Sequence, residues 1–127
     1  MPRIKIDAAD KWFSRYVREL QDNTCQRCGN QGEKIQNSHF FGRANEATRF
    51  CLENCDAYCY GCHQHFGSTD REAYRQFKVN QLGKNGFKAL VAQANSYKKK
   101  DRKMEAIKWK AAYLQLCKEK GVTPNLK

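Results

Sequence analysis

The sequence predicts a small α+β domain stapled by a bound metal, and three observations carry this prediction. Two CxxC pairs, Cys25 with Cys28 and Cys59 with Cys62, are separated by 30 residues. Between them the segment KIQNSHFF reads as a short strand, and helical patterns fill both ends of the chain. A chain of 127 residues suits one modest core, so we expect a single domain over residues 1–127.

The first part of this domain, residues 1–21, is predicted to be an N-terminal helix. Asp7 can cap a helix that runs to about Leu20, because a carboxylate there accepts from the free backbone N–H groups of the first turn. The apolar residues of this segment form one broad stripe that predicts docking on the core: Trp12, Phe13, Tyr16, Val17 and Leu20. The turn-rich core follows at residues 22–68.

The last part, residues 69–127, is predicted to be a helical extension. Thr69 and Glu72 have the spacing of a capping box, which would open a helix that runs to Leu82 and ends at the sequence GKNG. A second helix follows. The basic run KKKDRK then leads into a third helix, which is capped by Asp101 and ends at Gly121.

Composition restricts the class of protein. The chain carries 24 Lys and Arg against 13 Asp and Glu, a formal charge of +11, which favours a polyanion as partner. Neither a membrane span nor a signal peptide is evident, so we expect a soluble cytoplasmic protein without membrane contact.

The two CxxC pairs predict a structural zinc site. Four thiolates at this spacing complete a tetrahedral Zn²⁺ site, since each CxxC turn directs two sulfurs at one cation. Cys51 and Cys55 could serve as alternative ligands, but we expect them to be small buried residues, and Cys117 to be a free thiol on the apolar side of the last helix.

The order of residues in the core resembles the HNH endonuclease motif in its four-cysteine form. The motif residues are the first CxxC, His39, Asn54, the second CxxC and His63, within residues 25–66. The stretches DKWFSRYVRELQDNTCQRCG and SHFFGRANEATRFCLENCDAYCYGCHQHF further resemble the lambdoid phage NinG (Rap) recombination endonucleases. The resemblance implies a ββα-metal fold, in which a β-hairpin, a loop and a helix surround a catalytic divalent cation.

The resemblance also implies a role for each motif residue in phosphodiester hydrolysis. His39 would be the general base that takes a proton from the attacking water, and His63 would bind the catalytic cation, such as Mg²⁺ or Mn²⁺. Asn54 would orient the His39 imidazole by a side-chain hydrogen bond. The competing interpretation makes these residues structural, with Asn54 a turn cap.

The chain departs from the commoner motif at Ser38. Many HNH proteins have Asp or His there, as a second ligand of the catalytic cation, and a serine leaves that position open. Asn37 or His65 could fill it. Against His65, residues i and i+2 of a helix do not share a face, so it could instead be a packed helical residue.

Candidate DNA-binding residues come from two basic segments. Arg43 and Arg49 lie between His39 and Asn54 and could reach phosphates beside the scissile bond, while Lys98, Lys99 and Lys100 could follow a DNA backbone. Solvated loop and helix-boundary side chains are the alternative in both cases.

Together these inferences predict a metal-dependent DNA endonuclease. The resemblance implies that it acts in phage recombination on branched or structured DNA, in the host cytoplasm if a phage encodes it. A non-catalytic zinc module that binds DNA is the alternative from another class, and a packaging-associated or homing HNH nuclease is the alternative within the same class. Cutting both strands would favour a homodimer.

Overall fold

The computed structural model describes residues 4–32, 34–96 and 99–127. It contains four helices and two strands, in the order α1 (Ala8–Leu20), β1 (Gln36–His39), β2 (Cys55–Tyr58), α2 (Tyr60–Gln64), α3 (Arg71–Ala94) and α4 (Arg102–Lys120). The mixed α+β class is confirmed. None of the helices in these ranges is long and apolar enough to cross a membrane.

The hairpin of β1 and β2 lies near the cysteines of the two CxxC pairs. Its strands are antiparallel and pair Gln36 with Tyr58 and His39 with Cys55. A loop of residues 40–54 connects them and ends in the 3₁₀ turn Leu52–Asn54. Because α2 starts two residues after β2, the hairpin, the loop and the helix are consecutive in the chain.

Helix α1 begins as the sequence predicts. The Asp7 carboxylate accepts from the Asp10 backbone N–H, and the Asp10 carboxylate accepts from the Asp7 backbone N–H, so the two residues form a capping box. Helix α4 packs along α1, and Trp109, Tyr113 and Cys117 join Phe13 in one apolar cluster. The predicted Asp101 cap and the Gly121 terminus of α4 are also confirmed.

The predicted capping box at Thr69 and Glu72 was wrong. Thr69 ends a π-helical turn, His65–Thr69, and Asp70 caps α3 instead by accepting from the Ala73 N–H. The predicted break at GKNG is confirmed as a sharp kink, because Gly83 has φ +76°, a conformation that L-residues with side chains rarely adopt.

Candidate metal and catalytic centres

The four cysteines of the two CxxC pairs meet at one point. Their sulfur atoms all lie within 4.8 Å of one another, and the Sγ atoms of Cys28 and Cys59 are 3.7 Å apart. In a tetrahedral site with Zn–S bonds of about 2.3 Å, neighbouring sulfurs are separated by roughly 3.8 Å. The donor set and its spacing therefore fit a structural zinc ion, held by Cys25, Cys28, Cys59 and Cys62.

The local backbone explains how each pair reaches this point. Gly29 has φ +83° and turns the chain directly after Cys28, while Cys59 caps α2 and Cys62 lies in its first turn. Burial raises the pKa of Cys25, but backbone N–H groups, chiefly that of Cys28, outweigh it and lower the pKa to about 6. The N–H groups thus favour the thiolate that a metal requires.

The other cysteines lie away from this cluster. Cys55 and Cys117 are buried, whereas Cys51 is half-buried and donates its S–H to the Glu53 carboxylate at 3.0 Å. None of the three belongs to the metal-binding group found among the described residues.

His39 and His63 line the same cleft, which has a volume of about 270 Å³. The cleft is bounded by Ile4, Ile6, Asn37, His39, Gly42, Arg43 and His63. His39 comes from the end of β1, and His63 from α2, one residue after the zinc-site Cys62. The cysteine cluster that fixes α2 therefore also positions His63.

Hydrogen bonds determine which ring nitrogen of each histidine carries the lone pair. His39 Nε2 lies 2.9 Å from the Arg49 carbonyl oxygen, and His63 Nδ1 lies 2.6 Å from Gln36 Oε1. Both partners are acceptors, so these nitrogens donate their protons. Lone pairs then remain on His39 Nδ1 and His63 Nε2.

Burial keeps both imidazoles neutral at pH 7. It lowers the pKa of His39 to about 4, with a further contribution from the positive charge of Arg43. The Phe13 ring, whose centroid lies 6.3 Å from that of His39, forms part of this apolar surrounding. The pKa of His63 is lowered by the same two causes, burial first.

Two polar atoms of this cleft are buried without a hydrogen-bond partner in the described part of the chain. They are Asn37 Oδ1, an acceptor, and Arg43 Nε, a donor. The Asn37 side chain is otherwise fixed by its amide group, which donates to Ser14 Oγ at 3.1 Å. Unpaired buried polar atoms are costly, so a cation beside Asn37 Oδ1 and an anion beside Arg43 would each relieve a penalty.

The structure separates Ser38 from this site. Ser38 Oγ is hydrogen-bonded to the Tyr74 hydroxyl at 2.8 Å, on the side of the hairpin that faces α3. Asn37 and His39 are two residues apart on β1, and side chains at that spacing share a face of a strand. This alternation along a strand is the sequence signal that favours Asn37 over Ser38 as a residue on the same side as His39.

Asn54 has a different role from the one predicted. Its amide oxygen accepts from the Phe41 N–H, and its amide nitrogen donates to the carbonyls of Phe41 and Thr48. These bonds close the neck of the loop, while the Arg49 carbonyl orients His39. Asn54 is fully buried and has no contact with the imidazole through these bonds, so the expected hydrogen bond to His39 was wrong.

The prediction that Arg49 binds DNA was also wrong. Its guanidinium is buried and makes a bidentate ion pair with Asp10, with Nε–Oδ1 at 2.8 Å and Nη2–Oδ2 at 2.6 Å. Its remaining nitrogen, Nη1, donates to the Arg43 carbonyl, and Nη2 donates also to the Lys5 carbonyl. A phosphate could not reach it without breaking this network, so Arg49 is structural.

The remaining predicted residues that the structure describes do not line the cleft. His65 follows α2, beside Phe66, and is not among the described residues that line the cleft. Lys99 and Lys100 border a neighbouring cavity that shares Ile4 with it, whereas Lys98 lies outside the described residues. Sequence reasoning missed Gln36, the partner of His63, because no motif marks it.

Comparison with known proteins identifies a family. The family model described as "Bacteriophage Lambda NinG protein" matches residues 3–121. Neither the curated proteins nor the solved structures give a significant match. Since the matched range includes the cysteine cluster, both cleft histidines and all four described α-helices, the chain belongs to the bacteriophage lambda NinG family.

Proposed function

We propose that this protein is a metal-dependent DNA endonuclease of the HNH type, with a ββα-metal core held by structural zinc. The observation that carries the proposal is the shared cleft, in which two neutral imidazoles, each with one free ring nitrogen, lie beside Asn37 Oδ1 and Arg43 Nε. The excess positive charge of the chain favours DNA as the substrate, and family membership favours a phage recombination setting with branched or structured DNA.

Each of the four polar residues that line the cleft has one task in this proposal. His39 Nδ1 accepts the proton of the attacking water, and the Arg49 carbonyl stabilises the imidazolium that results by accepting from Nε2–H. His63 Nε2 and Asn37 Oδ1 would hold the catalytic divalent cation, in place of a ligand at Ser38. Arg43 contacts the phosphate that flanks the scissile bond.

A bound divalent cation would supply positive charge to the phosphate oxygens and to the leaving oxygen. The imidazole and amide donors suit Mg²⁺ or Mn²⁺, and also softer cations such as Ni²⁺ and Zn²⁺. The cation requirement of the reaction therefore has to be determined by titration.

Plasmid nicking tests the proposal. We expect nicking of supercoiled DNA only with a divalent cation, and a loss of about 10²-fold or more in rate for His39→Ala, with unchanged zinc content and DNA affinity. His65→Ala is the matched control, because His65 lies outside the cleft and should retain activity. Wild-type protein of full zinc content that binds DNA but cuts no plasmid, flap or four-way junction with any cation would support the alternative, a non-catalytic zinc module.

The assignment of Asn37 is tested by a cation titration of the same reaction. Asn37→Ala should raise the Mn²⁺ concentration needed for half-maximal nicking, with a smaller effect on the rate at saturating Mn²⁺. An unchanged Mn²⁺ requirement in Asn37→Ala, together with a raised one in His65→Ala, would assign the ligand to His65 instead.

A further inference from the structure

One face of α1 carries a row of three half-buried basic residues, and none of them forms an ion pair with a carboxylate in the part of the chain that the structure describes. Lys11, Arg15 and Arg18 follow one another at spacings of four and three, so they share one face of the helix. All three line a groove of about 600 Å³, and Arg15 and Arg18 also border the adjoining cavity of about 670 Å³, which Lys127 extends. We call Lys11, Arg15 and Arg18 the α1 basic row.

The acidic residues beside the row are already neutralised by other partners. Asp10 is paired with Arg49, and Asp7 with Arg102 at 2.6 Å. At the other end of α1, Glu19 is paired with Lys120, also at 2.6 Å. The row therefore keeps its positive charge, although carboxylates lie close to it.

Like charges are concentrated around the row instead. The Lys11 ammonium and the Arg15 guanidinium both lie over the Trp12 ring, at 4.7 and 5.0 Å from its centroid, and Lys110 of α4 lies 5.3 Å from the same centroid. Burial lowers the pKa of Arg18, and the charge of Arg15 lowers it further. An anion bound between these cations would remove a repulsion that the free protein has to sustain.

The row is continuous with the cleft that contains His39 and His63. Ile6 lines both that cleft and the groove of the α1 basic row. Arg43 lines the cleft as well. The segment from Lys11 to Arg18 extends about 10 Å along the helix axis, which is enough for two successive phosphates of one strand. A duplex arm that leaves the cleft can thus continue along α1.

We propose that the α1 basic row binds the backbone of the DNA substrate and leads one duplex arm into the cleft. The inference rests on the proposed function for its choice of DNA. It differs from the predictions for Lys98, Lys99 and Lys100, since it assigns backbone binding to the first helix. Contacts of this kind are independent of sequence and sensitive to salt.

DNA-binding titrations at several salt concentrations test the proposal on the full chain. The triple variant Lys11→Gln, Arg15→Gln and Arg18→Gln should bind a four-way junction at least about tenfold more weakly at 100 mM salt, and the slope of log K against log salt should fall by about two to three. The control variant Lys84→Gln, Lys88→Gln and Lys103→Gln removes the same charge from exposed positions that line neither the cleft nor the row's two cavities. It should change affinity much less.

Folding has to be checked because Arg15 also donates to the Asn125 carbonyl at 2.7 Å. If the triple variant has a lowered Tm or zinc content, the double variant Lys11→Gln and Arg18→Gln replaces it, with Lys84→Gln and Lys88→Gln as its control. Equal losses in the row and control variants, or unchanged affinity in the row variant, would overturn the proposal. Cleavage assays on the wild type test the proposed nuclease activity separately. If the protein binds DNA through the α1 basic row but does not cut it, this proposal stands and the proposed nuclease activity fails.

Discussion

At the scale of single residues, two arginines only six positions apart have opposite environments. Arg49 is buried and fully engaged by Asp10 and two carbonyls, whereas the Arg43 side chain is about one third exposed and borders the cleft. Arg43 Nε lies 3.8 Å from the Asp10 carboxylate, too far for a hydrogen bond. The ion pair with Asp10 excludes Arg49 as a DNA-binding residue. Arg43 is 3.8 Å from the same carboxylate and has no hydrogen bond to it, so its guanidinium can contact a phosphate.

Arg49→Ala should destabilise the fold strongly without removing a DNA contact. The substitution leaves the Asp10 carboxylate buried without its main partner, a change that typically costs about 3–5 kcal/mol. Urea unfolding measures this, and Arg75→Ala in the exposed pair with Glu72 is the control, which should be much less affected. A stable Arg49→Ala protein with weakened DNA binding would contradict the assignment.

His39 makes the stability of the protein depend on pH. Its pKa is lowered to about 4 in the folded chain, against about 6.5 when unfolded, so the unfolded chain binds more protons between these values. The free energy of unfolding should therefore fall as pH falls from 6.5 to 4, by at most about 3 kcal/mol from this residue.

Denaturant titrations of wild type and His39→Gln at a series of pH values measure this contribution. Protonation of the zinc ligands lowers stability in both proteins, so the His39 contribution is the difference between the two pH profiles. Parallel profiles from pH 6.5 to 4 would show that His39 is not buried as a neutral imidazole.

At the scale of elements, the four-cysteine cluster joins two segments that are far apart in the chain. The Cys25–Cys28 turn follows α1, while Cys59 and Cys62 begin α2. The spacing of these cysteines predicted the site, since CxxC turns are local structures with a known geometry. The roles of Asn54 and Arg49 could not be predicted in this way, because their partners Phe41, Thr48 and Asp10 are brought to them by tertiary packing.

Cysteine-to-serine substitutions test the composition of this site. Cys59→Ser should lower the bound zinc below one ion per chain and reduce the thermal stability sharply, because a structural zinc site contributes directly to folding. Cys51→Ser is the matched control, since Cys51 lies outside the cluster and should leave the zinc content unchanged. Elemental analysis with thermal unfolding makes both measurements, and zinc loss in Cys51→Ser alone would reassign the ligands.

At the scale of the whole molecule, helix α1 packs against the cleft residues and α4 packs against α1. Helix α1 supplies Phe13 beside His39 and Ser14 to Asn37, and α4 packs on its apolar stripe. The amphipathic pattern of α1, its cap and the caps of α4 predicted both helices, because these signals are local. Their position against the cleft, and hence the place of the α1 basic row, depends on packing that no motif in the sequence records.

We propose that His39 and His63 share one cation-dependent centre, separate from the four-cysteine cluster. Anomalous diffraction from a crystal soaked with Mn²⁺ tests it most directly. We predict a manganese peak in the cleft, at coordination distance from His63 Nε2 and Asn37 Oδ1, with His39 on the same side. A peak bound instead by His65, with the cleft between His39 and His63 empty of manganese, would contradict the claim.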